Sequence, residues 1–365
     1  MSIPLKVFEE TILAFLAPVA RFLDDPTVTE VMINGPFEIF IERHGRIERT
    51  DARFDGPHAL AAAVRNLAQY AGRHVSEERP ILEAHLPDGS RVEAVMPPVS
   101  PDGPHVSIRR FSRQALSMEQ LVEWHSLTAE AANFLSALVE IKQKIVVAGG
   151  TGSGKTSFLN VLSAYIDPTE RIIVIEDARE LQLNQPHVVQ LETRPPDPQG
   201  KNAITTRDLF RASLRMRPDR IVMGEIRGGE SIDFIQAMIS GHGGCLSTVH
   251  ATYPIDTLNR LETMALMSDI NLPLAALRVQ LAQAVNFIVQ TARLQDGTRV
   301  VTHITEILGH DIRDGFQLQD VFVRKWTGRD ARGRILSELL YTGAVPRCLD
   351  MMTALGIDPG LPGRS

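Results

Sequence analysis

Cysteine is nearly missing from this 365-residue chain: Cys245 and Cys348 stand far apart, with no CxxC spacing. That argues against a disulfide framework, and within one chain it excludes a four-cysteine zinc site. Such usage suits a reducing cytoplasm. Long apolar runs are missing too. No stretch approaches the roughly 18–20 apolar residues needed to cross a bilayer. The nearest look-alike is Thr11 to Leu23 (TILAFLAPVARFL), which is short and closely preceded by Glu9 and Glu10. A signal peptide wants a basic start, so this segment reads as an amphipathic N-terminal helix. The expectation is a cytoplasmic protein whose membrane contact goes through partners. Positive charge is not in excess either. A formal charge of −6 offers no general attraction to nucleic acid. No internal repeat or low-complexity tract interrupts the chain.

What is present suits two domains and a tail. Val28 to Asn34 and Phe37 to Arg43 flank the turn Asn34-Gly35-Pro36 and read as a hairpin. Ala59 to Ala71 has helical spacing, with Leu60, Val64, Leu67 and Tyr70 on one face. Arg91 to Met96 and His105 to Phe111 are strand-like, so residues 1–112 predict a small α+β domain with a leading helix. A linker is expected over 113–127. From 128 to 309, helices alternate with the short apolar strands Ile145 to Ala148, Ile172 to Ile175, Ile221 to Met223 and Leu246 to Val249. Strands spaced by helices imply α/β architecture with a parallel sheet. Residues 310–365 read as a separate C-terminal extension.

Gly149-Gly150-Thr151-Gly152-Ser153-Gly154-Lys155-Thr156 satisfies G-x-x-x-x-G-K-[ST]. It follows an apolar strand and opens a helix, the context that gives the motif its meaning. Glycines let successive backbone N–H groups wrap phosphates, and the helix N-terminus adds a favourable field. Lys155 neutralises the β- and γ-phosphates of ATP, and the Thr156 hydroxyl is a Mg²⁺ ligand. Ser157 completes the nucleotide-binding run. A chance match to this pattern is expected in roughly 1% of chains of this length.

In an open parallel sheet, ligands lie beyond the carboxyl ends of the strands. The strand at Ile172 ends in Glu176-Asp177, the one at Ile221 leads into Gly224-Glu225, and the one at Leu246 ends in His250. Glu225 is therefore the candidate to orient the attacking water, with Glu176 as a second acid and His250 as a sensor of the γ-phosphate. Each has a plainer reading, as a loop carboxylate, a cap or a structural imidazole. His242 precedes its strand and falls toward the wrong end. Many P-loop enzymes carry Asp-Glu where this chain has Gly224-Glu225. Magnesium then relies on Thr156 with Glu225, or on outer-shell help from Glu176.

These blocks together resemble the type II/type IV secretion ATPase superfamily. The order is a P-loop, an acidic box (Ile175 to Leu183, IEDARELQL), an atypical Walker B (Arg220 to Glu230, RIVMGEIRGGE) and a His box (Gly241 to Thr252, GHGGCLSTVHAT). Within it the chain is similar to the Tad/Flp pilus-assembly branch. The matching segments are DPTVTEVMING (Asp25 to Gly35), LPDGSRVEAVMPP (Leu86 to Pro98), SIRRF (Ser107 to Phe111) and LNRLETMALM (Leu258 to Met267). The resemblance implies a RecA-like core with a small, PAS-like N-terminal domain. It also implies a homo-hexameric ring whose domain rotation drives an integral inner-membrane platform protein, at the inner-membrane face. Arg109 and Arg110 match arginines that complete the site. Strand alternation puts them on opposite faces, so one of them serves. Arg227 matches another family position, able to pair with phosphate or with Glu230.

Two basic clusters remain. Arg207, Arg211 and Arg215 share one helix face, with Arg217 and Arg220 following, and read as a solvated or salt-bridged face. Arg324, Lys325, Arg329, Arg332 and Arg334 read as a solvated loop or partner contact. Competing functions are a RecA-like nucleic-acid translocase, which the acidic composition disfavours, and a conjugative type IV secretion ATPase.

Overall fold

The computed structural model describes residues 12, 14–43, 45–111, 116–197, 199–270, 272–331 and 333–362. They fall into two compact units, Met1–Gln114 and Ala115–Ser365.

The first unit contains α1 (Ala17–Asp24), β1 (Val28–Asn34), β2 (Ile39–Arg43), β3 (Arg46–Arg49), α2 (Pro57–Tyr70), β4 (Ile81–His85), β5 (Arg91–Val95) and β6 (His105–Arg109). Its strands form one six-stranded sheet in the order β3-β2-β1-β6-β5-β4. All neighbours are antiparallel. The Asn34-Gly35-Pro36 turn closes β1 on β2 through the Asn34 amide, which donates to the Glu38 carbonyl at 2.8 Å. Gly35 sits at φ +71°, a conformation that favours glycine. Val31, Ile33, Ile39, Ile41, Val92, Val106 and Ile108 turn inward against Leu60, Val64 and Leu67 of α2. Of the expected leading helix, Val19, Phe22 and Leu23 are buried, while Thr11 and Leu13 lie outside the described residues. The strands β3 and β4 have no counterpart in the sequence reading. β3 is exposed along its whole length, so no apolar alternation marks it.

The second unit opens with α3 (Met118–Glu123), which falls inside the expected linker; residues 113–115 of that linker lie outside the described residues. There follow α4 (Ala129–Glu140), β7 (Ile145–Gly149), α5 (Lys155–Ser163), β8 (Ile172–Glu176), β9 (Val188–Glu192), α6 (Thr206–Ser213), β10 (Arg220–Met223), α7 (Glu230–Ile239) and β11 (Leu246–His250). The chain continues through α8 (Pro254–Leu266), α9 (Leu274–Ala284), β12 (Phe287–Arg293), β13 (Arg299–Asp311), β14 (Gly315–Arg329), β15 (Ile335–Tyr341) and α10 (Leu349–Ala354). One nine-stranded sheet runs β15-β14-β13-β12-β7-β11-β10-β8-β9. From β12 to β9 every neighbouring pair is parallel. The apolar strands are continuous runs because both faces are covered. Successive residues alternate between two cores: Ile145 and Val147 pack with α4 and α5, and Val146 and Ala148 with α7, α8 and α9.

Residues 310–365 do not stand apart. β13, β14 and β15 add an antiparallel meander to β12, and Met352 of α10 joins the core of α4. The basic run there is not a solvated loop at its start. Arg324 lies in β14, 5% exposed, and donates to the carbonyls of Val301 and Ser126, each at 2.7 Å. Burial lowers its pKa to about 10. Arg329 and Arg334 bond to the hairpin around Asp330, while Arg332 lies outside the described residues. On α6, Arg207 and Arg211 close on the two oxygens of Asp233, at 2.6 and 2.9 Å, a salt-bridged face.

Candidate nucleotide site

The site grows from the end of β7. Gly149 closes the strand with no room for a side chain: a Cβ there would lie 2.4 Å from both the Ser153 and Thr291 hydroxyls. The loop then turns through Gly152 (φ +70°) and Gly154 (φ +91°). Gly154 is the N-cap of α5, and no side chain caps the helix. A helix N-terminus of this kind, opened by glycine, is where a P-loop takes phosphate. Lys155 is 7% exposed, and its Nζ donates to the Gly150 carbonyl at 3.1 Å. Thr156 is half-buried and Thr151 and Ser157 are exposed.

Three strands further along the sheet bring their ends to the same edge. Lys155 Nζ lies 3.4 Å from His250 Nδ1 and 3.3 Å from Nε2. His250 Nε2 is 3.1 Å from Glu225 Oε1. Arg227 donates to Glu225 Oε2 at 2.7 Å and to Asp177 Oδ2 at 3.1 Å. An ammonium has no lone pair to offer, so the imidazole must accept from Lys155 and donate to Glu225. Burial, with the neighbouring Lys155 charge, lowers the His250 pKa, while Glu225 opposes the shift. The Glu225 bond raises Arg227 above its ordinary value. Arg227 therefore pairs with Glu225 and Asp177. Glu230 instead accepts the backbone amides of Arg227 and Gly228 at 2.7 and 2.9 Å, shaping the turn into α7.

Glu176 is 4% exposed. Its Oε1 accepts from the amides of Glu180 and Leu181, both at 3.0 Å. Burial nevertheless pushes its pKa up to about 7. The same side chain packs close against Gly224, which stands where many P-loop enzymes carry aspartate. A Cβ on Gly224 would stand 3.0 Å from Glu176 Cγ and 3.4 Å from Oε1. The Glu176 side chain of the neighbouring strand β8 thus packs directly over Gly224. Gly224 itself is held by Thr248, whose hydroxyl donates to its carbonyl at 2.6 Å.

Among the described residues no group of three or more His, Cys, Asp or Glu could hold a metal. Magnesium takes oxygen ligands, keeps several waters and leans on substrate phosphates. Thr156, Glu225 and Glu176 offer oxygen donors only. His242 lies at the other end of β11, its Nδ1 buried without a bond. In the first unit, Arg110 is tied by Nη1 to the carbonyls of Asp25 and Val28, whereas Arg109 is exposed at the end of β6. Sequence reasoning missed Asp177 as a partner of Arg227, and Thr291, Arg293 and Arg299 beside the P-loop. Thr291 and Arg293 belong to β12, another strand that delivers its carboxyl end to the same edge.

This sheet, with a P-loop at its carboxyl edge, defines a RecA-like P-loop ATPase. The chain belongs to the type II/IV secretion system protein family, whose sequence profile matches residues 13–344. It is 36% identical over 304 residues to the type IV secretion system protein PtlH of Bordetella pertussis, covering 74% of this chain and 87% of that one. It is 35% identical over 321 residues to the type IV secretion system protein VirB11 of Brucella suis, covering 80% and 88%. The fold is also that of the pilus retraction motor PilT, solved with bound ADP. That match has a TM-score of 0.55 at 18% identity and covers 94% of this chain and 87% of that one. Membership of this family, with a P-loop at the carboxyl edge of the sheet, supports an ATP-hydrolysing secretion-system protein. No helix among the described residues is long and apolar enough to cross a membrane.

Proposed function

We propose that this chain is a subunit of a homo-hexameric, magnesium-dependent motor that powers assembly of a Tad/Flp-type pilus or a related secretion machine. Its track would be an integral inner-membrane platform protein. The observation that carries the catalytic reading is the chain Lys155–His250–Glu225–Arg227 at the P-loop edge. In it Glu225 takes the role of orienting a water whose oxygen attacks the γ-phosphorus. The bond to the β–γ bridging oxygen breaks, and the water proton passes to the carboxylate. Mg²⁺, held by Thr156 and the phosphates with Glu225 or Glu176 through water, would neutralise phosphate charge. His250, neutral and touching both Lys155 and Glu225, reports whether a γ-phosphate has drawn the lysine away. One of the two N-terminal arginines, Arg109 or Arg110, takes the role of stabilising transition-state charge.

The test pairs two variants. Lys155→Ala should lose nucleotide binding, and Glu225→Gln should keep binding while turnover falls by roughly 10² or more. Normal turnover by Glu225→Gln would move the catalytic role to Glu176. The relatives named for conjugal transfer support a second reading, a conjugative secretion ATPase. Glu225→Gln recovered from cells with a polytopic membrane protein supports a motor acting at the membrane. Recovery with nucleic acid would favour a translocase.

A further inference from the structure

The turn that carries Glu225 is held on both sides by one residue of another strand. The register between β10 and β11 ends at Met223, opposite Ser247. Past that point the chain leaves the ladder, yet both residues flanking Glu225 stay bonded to the next residue of β11, Thr248. Its hydroxyl donates to the Gly224 carbonyl at 2.6 Å, and its carbonyl accepts the Ile226 amide at 3.0 Å. From the other side, the Ile175 carbonyl of β8 accepts the Gly224 amide at 2.9 Å. Ile226 is itself 2% exposed and packs into the core with α7, α8 and α9. Glu225 is the crown of a one-residue arch whose two feet share a partner.

Packing alone does not ask for a threonine here. Thr248 is 1% exposed. Along β11, Leu246, Thr248 and His250 share one face of the sheet, and Leu246 packs there with Val147 and Val222. A hydroxyl in such a place costs free energy unless it is bonded, and valine has the same shape without it. The bond to Gly224 is what the hydroxyl adds. His250 lies two residues further along the same strand and face, its Nε2 3.1 Å from Glu225 Oε1. One strand therefore sets both the backbone that carries Glu225 and the imidazole that meets its carboxylate.

We propose that Thr248 is a positioning residue for ATP hydrolysis, its bridge across Glu225 fixing where that carboxylate points relative to His250. The inference rests on the assignment of Glu225 to the attacking water. A carboxylate that orients water works by placement, and a displacement of about 1 Å can cost about 10²-fold in rate. Without the hydroxyl, the Gly224 carbonyl loses its donor and one foot of the arch is free to shift. The P-loop keeps its own backbone and lysine, so nucleotide affinity is left in place. The bridge therefore acts on the chemical step and not on binding.

The experiment uses the full chain with Thr248→Val, Thr248→Ser, Glu225→Gln and the double variant Thr248→Val with Glu225→Gln. Steady-state assays give kcat and KM, and calorimetry gives Kd for ATP and ADP. Thr248→Val should lower kcat by about 10- to 100-fold, with both Kd values within about threefold of wild type. Thr248→Ser, which keeps the hydroxyl, should recover most of that loss. On the Glu225→Gln background, Thr248→Val should change kcat by less than about twofold, because residues that act as a unit are not additive. Wild-type kcat in Thr248→Val overturns the bridge. So does a Thr248→Ser loss as large as that of valine, a rise in Kd that matches the fall in kcat, or a full further loss in the double variant. Glu225→Gln alone separates the layers: normal turnover there is the failure of the Glu225 assignment, whereas an impaired Glu225→Gln beside a fully active Thr248→Val is the failure of the bridge alone.

Discussion

Two arginine–glutamate pairs sit at opposite edges of the nine-stranded sheet, and their surroundings give them opposite work. At the amino edge Arg220 is fully buried, paired with Glu170 and donating to the Val139 carbonyl at 2.7 Å. Gly244, at φ +70°, exists to make room: a Cβ there would stand 2.1 Å from Arg220 Nη1. At the carboxyl edge the Arg227 side chain is 53% exposed and that of Glu225 is 17% exposed. A buried pair cannot change partners without stranding a charge, so it staples β8, β10 and α4. An exposed pair exchanges partners cheaply, which is what a site must do when a triphosphate enters. The same chemistry is architecture at one end of the strands and equipment at the other.

Removing the buried member should have the largest effect. Arg220→Ala leaves Glu170 with only the half-exposed Lys142, 3.1 Å away, as partner, strips the Val139 carbonyl of its guanidinium donor, and is expected to destabilise by about 3 kcal/mol, read by denaturant unfolding. A loss under about 1 kcal/mol would break the distinction. Next comes the buried acid of the catalytic edge. The folded pKa of Glu176 is about 7 against an ordinary 4.5, so the native state favours its protonated form. Its stabilising contribution is complete below about pH 4.5 and is lost as pH rises through about 7. Glu176→Gln, neutral at every pH, should therefore gain stability over the wild type at pH 8.5, by at most about 3 kcal/mol. The gain should vanish near pH 4.5, and an unfolding series across that range reads it directly.

Gly244→Ala should cost about 2 kcal/mol, from strained backbone and displacement of Arg220. Paired with Arg220→Met, part of that cost should disappear, because the clash has gone. Arg227→Ala should have the smallest effect on stability, under about 1 kcal/mol, yet lower kcat by about tenfold as Glu225 loses its orienting partner. Equal stability losses for Arg227→Ala and Arg220→Ala would erase the contrast between the two edges.

Much of the candidate site's assembly was legible beforehand because its residues follow strands in a fixed way. Glu176, Glu225 and His250 each stand at or just past a carboxyl end, so parallel strands had to bring them together. The arginines were harder, since a guanidinium's role depends on what surrounds it. Arg324, read as part of a solvated run, is a buried donor to Val301 and Ser126. The nearest written signal was the two-residue spacing of Phe322 and Arg324, both buried in β14. β13 to β15 read as a separate extension because antiparallel hairpins break the strand–helix rhythm. They nevertheless complete the same sheet.

Local chemistry in the chain determined the phosphate loop, since its glycines, lysine and flanking strand and helix are contiguous and need no distant partner. It also determined which strands face two cores, through unbroken apolar runs. Only tertiary structure decided that Glu176 occupies the space above Gly224 and that Arg110 is tied to carbonyls. It alone brought Arg293 and Arg299 to a loop some 140 residues away in sequence. Those outcomes turn on packing distances of a few ångströms between segments remote in the chain, and no local pattern encodes such distances.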